Sequence, residues 1–127
     1  MQDDGPELIF SYSRSQAIDD GVLVEVPEAL LKEAGIKLHT AITCVLWHDV
    51  IVPDAESLAT GQSVEGRLWD VLMVFRVLAK RSSDSLLLFP VRFLYHGREH
   101  RDVVVKAVCG PGDDPTPCIT FMHEWED

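Results

Sequence analysis

The sequence is poor in cysteine, and its cysteines show no pattern that supports chemistry. Among 127 residues, three are cysteine: Cys44, Cys109 and Cys118. No two of them have the Cys-x-x-Cys spacing of zinc sites or redox centres, and three are too few for a small disulfide scaffold. A reducing compartment is the simpler interpretation, so we expect a cytoplasmic protein with inert thiols.

Long hydrophobic runs are also missing. The longest one, residues 86–91, is far shorter than the ~20 residues that span a bilayer, so we expect no membrane contact. Residues 1–6 are polar and acidic and lack the apolar stretch of a secretory signal, and we expect them to be disordered. Because no repeat or long linker divides the chain, we predict one domain over residues 1–127.

Basic side chains are scarce and unevenly placed. The chain has 11 Lys and Arg against 21 Asp and Glu, a net charge of -10. Residues 1–66 carry a net -9, residues 67–106 a net +4, and the remainder a net -5. This balance disfavours direct binding of nucleic acid and is compatible with a basic partner.

Turn and capping residues divide the first third of the chain into short elements. Ser13 and Gln16 have the spacing of a capping box, and Gly21 is suited to the left-handed conformation at a helix end. Pro27 and Gly35 have the usual places before and after a helix. The predicted elements are a strand over residues 8–12, a helix over 14–20, a strand over 22–26, and a helix between Pro27 and Gly35.

The middle of the chain contains the longest predicted helix. Residues 40–51 are apolar all around a helical wheel, which predicts a buried helix, and residues 53–62 read as a loop. Ser63 then caps a helix over residues 64–81 with one broad apolar face.

A second apolar stripe lies on the other side of this helix. Trp69, Met73 and Val77 recur at intervals of four among charged neighbours. A surface helix needs one apolar stripe, so the second is either covered inside the fold, which we favour, or exposed as an interface to a partner or to a second copy.

The last third of the chain predicts β-structure. Phe89, Val91, Phe93 and Tyr95 alternate with other residues, and Pro90 is typical of an edge strand or a bulge. Turns are expected at residues 96–99 and 110–115. The fold class is therefore α+β: an antiparallel sheet with a C-terminal three-stranded meander, packed against the long central helix.

Four separated blocks of sequence carry a resemblance to a known family. They are residues 7–9 (ELI), 12–24 (YSRSQAIDDGVLV), 66–72 (GRLWDVL) and 106–114 (KAVCGPGDD). Together they resemble a domain of unknown function in small uncharacterised bacterial proteins, often encoded on plasmids, integrative elements and prophages. The resemblance implies a bacterial or phage accessory protein of the cytosol, and it assigns no catalytic residue.

Metal and thiol sites find little support in the residue spacing. Cys44 and His48 lie four residues apart, and His96 and His100 flank a turn, but neither pair has a third ligand nearby in sequence. We therefore predict no metal. Cys109 and Cys118 bracket the turn after residue 109, and in a symmetric hairpin they would face one another. That geometry permits a disulfide, but a cytosolic location disfavours one.

The loop over residues 110–114 has two interpretations. Asp113 and Asp114 could hold a cation, but two adjacent carboxylates are too few for calcium or magnesium. Alternatively, the glycine-rich backbone could bind a phosphate, but the loop lacks the Lys and Ser/Thr of a P-loop. A tight turn is the favoured interpretation, and the loop remains a candidate binding edge.

An enzyme hypothesis rests on Arg14. The Tyr-Ser-Arg sequence, a short helix and a second strand are loosely similar to the start of ADP-ribosyltransferase-like folds, which implies that Arg14 would meet a cofactor. Alternatively, Arg14 pairs with a nearby carboxylate such as Asp19 or Glu7.

The sequence thus predicts a noncatalytic accessory protein of a mobile genetic element or phage that binds another macromolecule, with a protein as partner and without a cofactor. A small nucleotide-handling enzyme of the ADP-ribosyltransferase-like type and an acidic nucleic-acid mimic or anti-defence protein are the alternatives. A mimic would use the acidic residues Asp19, Asp20, Glu25, Glu28 and Glu33. The candidate binding residues are Trp69, Met73, Val77, Arg14, Asp113 and Asp114.

Overall fold

The computed structural model describes residues 12–127 and has an α+β fold. The expected disorder of residues 1–6 and the strand predicted over residues 8–12 lie outside the described residues, except for Tyr12, which is not in a strand. The helices are α1 (Arg14–Asp19), α2 (Glu28–Ala34), α3 (Cys44–Leu46), α4 (Ala55–Ala59) and α5 (Val64–Ala79), with a π-helical turn at Trp47–Ile51. The strands are β1 (Leu23–Glu25), β2 (His39–Thr43), β3 (Leu86–Tyr95), β4 (Glu99–Pro111) and β5 (Pro117–His123).

The five strands form one mixed sheet in the order β1-β2-β5-β4-β3. Strands β3, β4 and β5 are antiparallel neighbours, as the meander predicts. The prediction of a wholly antiparallel sheet is wrong, because β5 also pairs with β2 in parallel. The chain between these two strands holds three helices and two strands, which is ample for the crossover that a parallel pair requires.

The buried helix predicted over residues 40–51 is wrong in its first part. Thr40, Ala41 and Ile42 belong to strand β2, and all three have 0% exposure. A central strand covered on both sides is apolar throughout and loses the alternation that marks a strand in sequence. The predicted loop over residues 53–62 also contains a helix, α4, whose N-terminus is capped by the Asp54 side chain.

Helix α5 is confirmed as the long helix packed on the sheet. The Ser63 side chain caps it by accepting a hydrogen bond from the N–H of Gly66 at 3.0 Å. Its apolar face is buried against the sheet, where the Phe121 ring lies 5.2 Å from the Phe75 ring, centroid to centroid. The buried side chains of this helix are Arg67, Leu68, Val71, Leu72 and Phe75.

Arg67 is a buried cation with 1% exposure. Its guanidinium donates to the carbonyls of Val50, at 2.7 Å, and Leu94, and it lies 5.3 Å from the centroid of the Phe93 ring. Burial lowers its pKa, and the nearby Tyr95, Asp54 and Asp70 partly offset that effect. Arg67 thus joins α5 to the π-helical turn and to the end of β3.

Strand β3 lies at the edge of the sheet, as Pro90 predicts. The Cys109 N–H donates to the Ser85 carbonyl at 2.8 Å. Because hydrogen-bonded pairs alternate along antiparallel strands, the odd-numbered residues of β3 bond to β4, and the N–H and C=O groups of the even-numbered residues face the open edge. Pro90 is even-numbered, so its missing N–H removes no hydrogen bond between β3 and β4. It also interrupts the row of donors that a further strand would use.

Side chains from outside the turn between β3 and β4 accept hydrogen bonds from its backbone. Residues 96–98 connect the paired Tyr95 and Glu99, and within this connection His96 and Gly97 have φ values of 54° and 71°, both in the left-handed region. The Asp54 carboxylate accepts from the His96 N–H at 3.3 Å, and the Ser57 hydroxyl accepts from the Gly97 N–H at 3.1 Å. These bonds stabilise a left-handed conformation that histidine adopts rarely.

Within residues 12–127, none of the helices combines the length and the apolar character needed to cross a membrane.

Candidate functional site

Arg14 and Asp113, two of the residues singled out by the sequence, meet at the start of helix α1. The Asp113 carboxylate accepts from the backbone N–H of Arg14 at 2.6 Å and from that of Ser15 at 3.0 Å. A carboxylate at this position satisfies free N–H groups and interacts favourably with the helix dipole. Asp114 instead accepts from the N–H of Thr116 at 2.8 Å, within its own loop.

The Arg14 side chain is fixed against the sheet. Its guanidinium donates to the Thr120 hydroxyl and to the Ile119 carbonyl, both at 2.7 Å. Its Nε–H donates to Nδ1 of His39 at 3.3 Å. These three bonds join helix α1 to strands β2 and β5, so Arg14 positions the helix.

His39 connects Arg14 to Glu25. Because Nδ1 accepts from Arg14, the ring proton of a neutral His39 lies on Nε2. Nε2 lies 2.5 Å from the Glu25 carboxylate, which therefore accepts this proton in a hydrogen bond. The result is a polar chain from Glu25 through His39 to Arg14.

This polar chain lines a cleft of about 530 Å³ between α1 and the β4–β5 loop. Within this cleft Arg14, His39 and Glu25 bond to one another, and Asp113 accepts from the backbone N–H groups at the start of α1. The lining residues that carry charge or a ring nitrogen are Arg14, Asp19, Glu25, Lys37, His39, Asp113 and Asp114.

The residues of the second apolar stripe differ in exposure. Trp69 and Met73 are half-buried and pack against the main hydrophobic core, whereas Val77 is 53% exposed. Trp69 also lies beside Leu30 of helix α2 in a shallow cavity between the two helices. The first two residues thus belong to the margin of the core, and the third faces solvent.

The two cysteines beside the β4–β5 loop do not face one another. Cys109 pairs with Ile119, and Cys118 pairs with Gly110, so their side chains lie on opposite sides of the sheet. The symmetric-hairpin prediction is therefore wrong, and all three cysteines are free thiols. Cys118 is buried, and Cys44 and Cys109 are half-buried.

One group of possible metal ligands was not found from the sequence. Ligand atoms of Asp54, Glu56 and His96 lie within 4.8 Å of one another. Desolvation raises the pKa of Asp54, but hydrogen bonds from Ser57 and from the His96 backbone outweigh it, and the net pKa of this carboxyl is lowered. Helix capping and turn support account for its placement, and the absence of a metal stays a prediction.

Trp125 is a surface residue that sequence reasoning missed. It is 66% exposed, yet its ring stacks on the His123 ring with centroids 4.9 Å apart and planes at 14°. His123 Nε2 in turn lies 3.1 Å from a carboxylate oxygen of Asp49. The contact joins the C-terminal turn to the π-helical turn across 74 residues, so no local sequence signal reveals it.

The turn that carries Trp125 is held by Glu126. The Glu126 carboxylate accepts from the Thr43 hydroxyl and from the His123 N–H, both at 2.8 Å. Its backbone carbonyl accepts from Lys106. Trp125 is therefore presented to solvent from a fixed backbone.

The comparisons with known proteins assign a family and no activity. No curated protein and no solved structure showed a significant match. The sequence matches the family of unknown function DUF6573 over residues 2–127, nearly its whole length, which agrees with the resemblance to a domain of unknown function. The chain therefore belongs to the DUF6573 family.

Proposed function

We propose that this chain is a noncatalytic accessory protein that acts by binding another protein, and that it serves a mobile genetic element or a phage. The four sequence blocks described above support the second part. The single observation that carries the first part is the ordered, exposed Trp125. We call Asp49, His123, Glu124, Trp125 and Asp127 the C-terminal aromatic surface.

Trp125 has the properties of an interface anchor. Tryptophan is enriched among the residues that dominate binding energy at protein interfaces. Its stacking on His123 and the bonds of Glu126 fix its position before any partner arrives. Pre-ordering reduces the entropy lost on binding, so more of the contact energy contributes to affinity.

The surroundings of Trp125 favour a basic partner. Glu124 and Asp127 are exposed and lie close to Trp125 in sequence. Asp49 is also exposed and contacts His123, on which the Trp125 ring stacks. The open side of an indole ring attracts lysine and arginine side chains, and the carboxylates add a complementary field. We therefore expect the partner to present a segment rich in Lys and Arg.

The geometry favours this function over the nucleotide-handling enzyme. A cofactor-binding arginine must turn its guanidinium toward the cofactor, whereas Arg14 donates to Thr120, Ile119 and His39 of its own chain. Binding at Arg14 would first break these bonds and release helix α1.

The acidic nucleic-acid mimic is also less well supported. Glu25 and Asp20 are engaged with His39 and Tyr12, and Lys32 lies between Glu28 and Glu33 on helix α2. A mimic requires an uninterrupted row of carboxylates spaced like phosphates.

A displayed peptide library tests the proposal. The protein should select peptides rich in Lys and Arg, and a selected peptide should bind more weakly at higher salt. Trp125→Ala should weaken that binding by about tenfold or more. Leu58→Ala is the matched control, because Leu58 is 49% exposed and lies outside the C-terminal aromatic surface.

Selection of acidic or neutral peptides, or equal binding by wild type and Trp125→Ala, would reject this surface as the site. If a peptide binds wild type and Trp125→Ala equally well but binds more weakly when Arg14 is mutated, the cleft beside α1 is favoured as the site instead.

A further inference from the structure

A groove with an apolar floor lies toward the other end of strand β5. It has a volume of about 410 Å³ and runs between the C-terminal end of helix α5, the link from α2 to β2, and the start of β3. This volume is within the range of about 300–1,000 Å³ for ligand pockets. The apolar residues that line it are Ile36, Leu38, Phe75, Ala79, Leu87, Ala107, Cys109 and Ile119.

The floor of this groove is the margin of the main core. Phe75, Ala107 and Ile119 are 8%, 2% and 3% exposed and belong to the buried cluster, whereas Leu87 and Cys109 are half-buried and pack against it. A ligand with an apolar body would cover the surface that the half-buried residues leave exposed, and removing apolar surface from water is favourable.

The rim of the groove is cationic. Lys37, Arg76 and Lys80 line it together with a single acid, Asp84. Among residues 12–127, no carboxylate lies within ion-pair distance of these three cations. Among the described residues these three basic side chains thus share one groove without forming an ion pair, in a protein with a net charge of -10.

Arg76 is exposed and lies beside the turn that ends helix α2. A Cβ atom added to Gly35 would lie 3.4 Å from Nε of Arg76 and 3.5 Å from Cζ, so the guanidinium lies against the backbone of Gly35. Gly35 has a φ of 76° and ends helix α2. The guanidinium therefore lies where the end of α2 and the end of α5 both line the groove.

Stabilisation of the helix end does not fully explain this arrangement. Arg76 and Lys80 lie near the C-terminus of α5, where cations interact favourably with the helix dipole. Lys37 is outside that helix, so the helix dipole does not account for its position beside the half-buried apolar side chains of the groove.

We propose that this groove binds a small amphipathic anion, an acyl or aromatic body that carries one carboxylate. The apolar body occupies the floor, and Lys37, Arg76 and Lys80 bind the carboxylate through charge-assisted hydrogen bonds. The groove is separate from the C-terminal aromatic surface, so the experiments on the two sites reject or support each proposal independently.

Decanoate is the probe for this site, and isothermal titration calorimetry gives its affinity. Decanol and decyltrimethylammonium are the matched controls, because they keep the apolar chain and remove or reverse the charge. Decanoate should bind at least about tenfold more tightly than either control. Equal affinities for the three probes would overturn the role of the rim.

Cys109 provides a reporter inside the groove. Decanoate at ten times its Kd should slow alkylation of Cys109 by iodoacetamide about tenfold, measured by mass spectrometry of individual peptides. Cys44, which does not line the groove, should react at an unchanged rate. Binding without protection of Cys109 would place the ligand elsewhere and reject the proposal.

Charge-removing variants complete the test. Arg76→Gln combined with Lys80→Gln should weaken decanoate binding about tenfold or more and leave decanol unchanged. Arg81→Gln is the matched control, because Arg81 lies at the same helix end but does not line the groove. These side chains are exposed, so the variants should fold, which urea unfolding verifies. Equal losses in all variants would show a general charge effect and overturn the proposal.

Discussion

Asp113 caps a helix that begins at Arg14, 99 residues earlier in the chain. The same helix has its own capping box, in which the Ser13 side chain accepts from the Gln16 N–H at 3.0 Å and the Gln16 side chain accepts from the Ser13 N–H at 3.0 Å. The free N–H groups at the helix N-terminus therefore have acceptors from two sources, the neighbouring Ser13 side chain and Asp113 of the β4–β5 loop. This second contact ties the loop to the helix that Arg14 fixes on the sheet.

Replacing Asp113 by alanine should destabilise the protein by about 1 kcal/mol, the usual cost of losing a capping side chain. Urea unfolding measures this, and hydrogen exchange should show faster exchange at Arg14 and Ser15, whose N–H groups lose their acceptor. Asp114→Ala is the control, because Asp114 bonds within its own loop. Equal exchange in both variants would contradict the capping role.

The local signals in the sequence predicted the elements that depend on neighbouring residues. Ser13 with Gln16, and Ser63 before the long helix, cap their helices as expected, because these bonds span three residues. Strand β2 was mistaken for helix because burial on both sides removes its alternation. Pro90 predicted an edge strand, because a missing N–H is tolerated only there or at a bulge.

The candidate site shows the same division between local and long-range information. The sequence indicated Arg14 and Asp113 separately but gave no reason to join them. It missed His39, whose partner Glu25 is distant in sequence, and Trp125, which stacks on His123, the partner of the distant Asp49. A side chain that gains its role through tertiary contacts leaves no periodic or spacing signal in a single sequence.

Arg67 provides a second prediction, because its removal leaves the Val50 carbonyl without this donor and the Leu94 carbonyl with the Ser57 hydroxyl alone. Arg67→Met should lower the free energy of unfolding by about 2 kcal/mol or more, since an unsatisfied buried acceptor costs about 1–3 kcal/mol and the aromatic contact of the guanidinium is also lost. Arg67→Lys should also destabilise, because a lysine lacks the planar fork that reaches both Val50 and Leu94. Arg98→Met, at an exposed position, should change stability by less than about 0.5 kcal/mol. A stable Arg67→Met protein would contradict this role.

The Asp54 carboxyl makes stability depend on pH. Its pKa is lowered in the folded protein, because hydrogen bonds from Ser57 and His96 outweigh the opposing desolvation. Such a group stabilises the fold above its unfolded pKa, and the contribution is lost as pH falls through the lower folded pKa. The stability difference between wild type and Asp54→Asn should therefore be greatest near neutral pH and shrink below about pH 4. A difference that stays constant in urea unfolding between neutral and acidic pH would exclude this linkage.

The second apolar stripe on helix α5 gives a final prediction, in which two of its residues should behave differently. Trp69 is half-buried against the core, and Val77 is 53% exposed. Trp69→Ala should cost about 2 kcal/mol, below the ~3–5 kcal/mol of a fully buried aromatic residue, because part of the ring already contacts water. Val77→Ala should change stability by less than about 0.5 kcal/mol. Urea unfolding gives both values, and analytical ultracentrifugation gives the association state of each variant. If Trp69→Ala keeps full stability but changes the association state, the stripe is an interface between copies rather than the margin of the core.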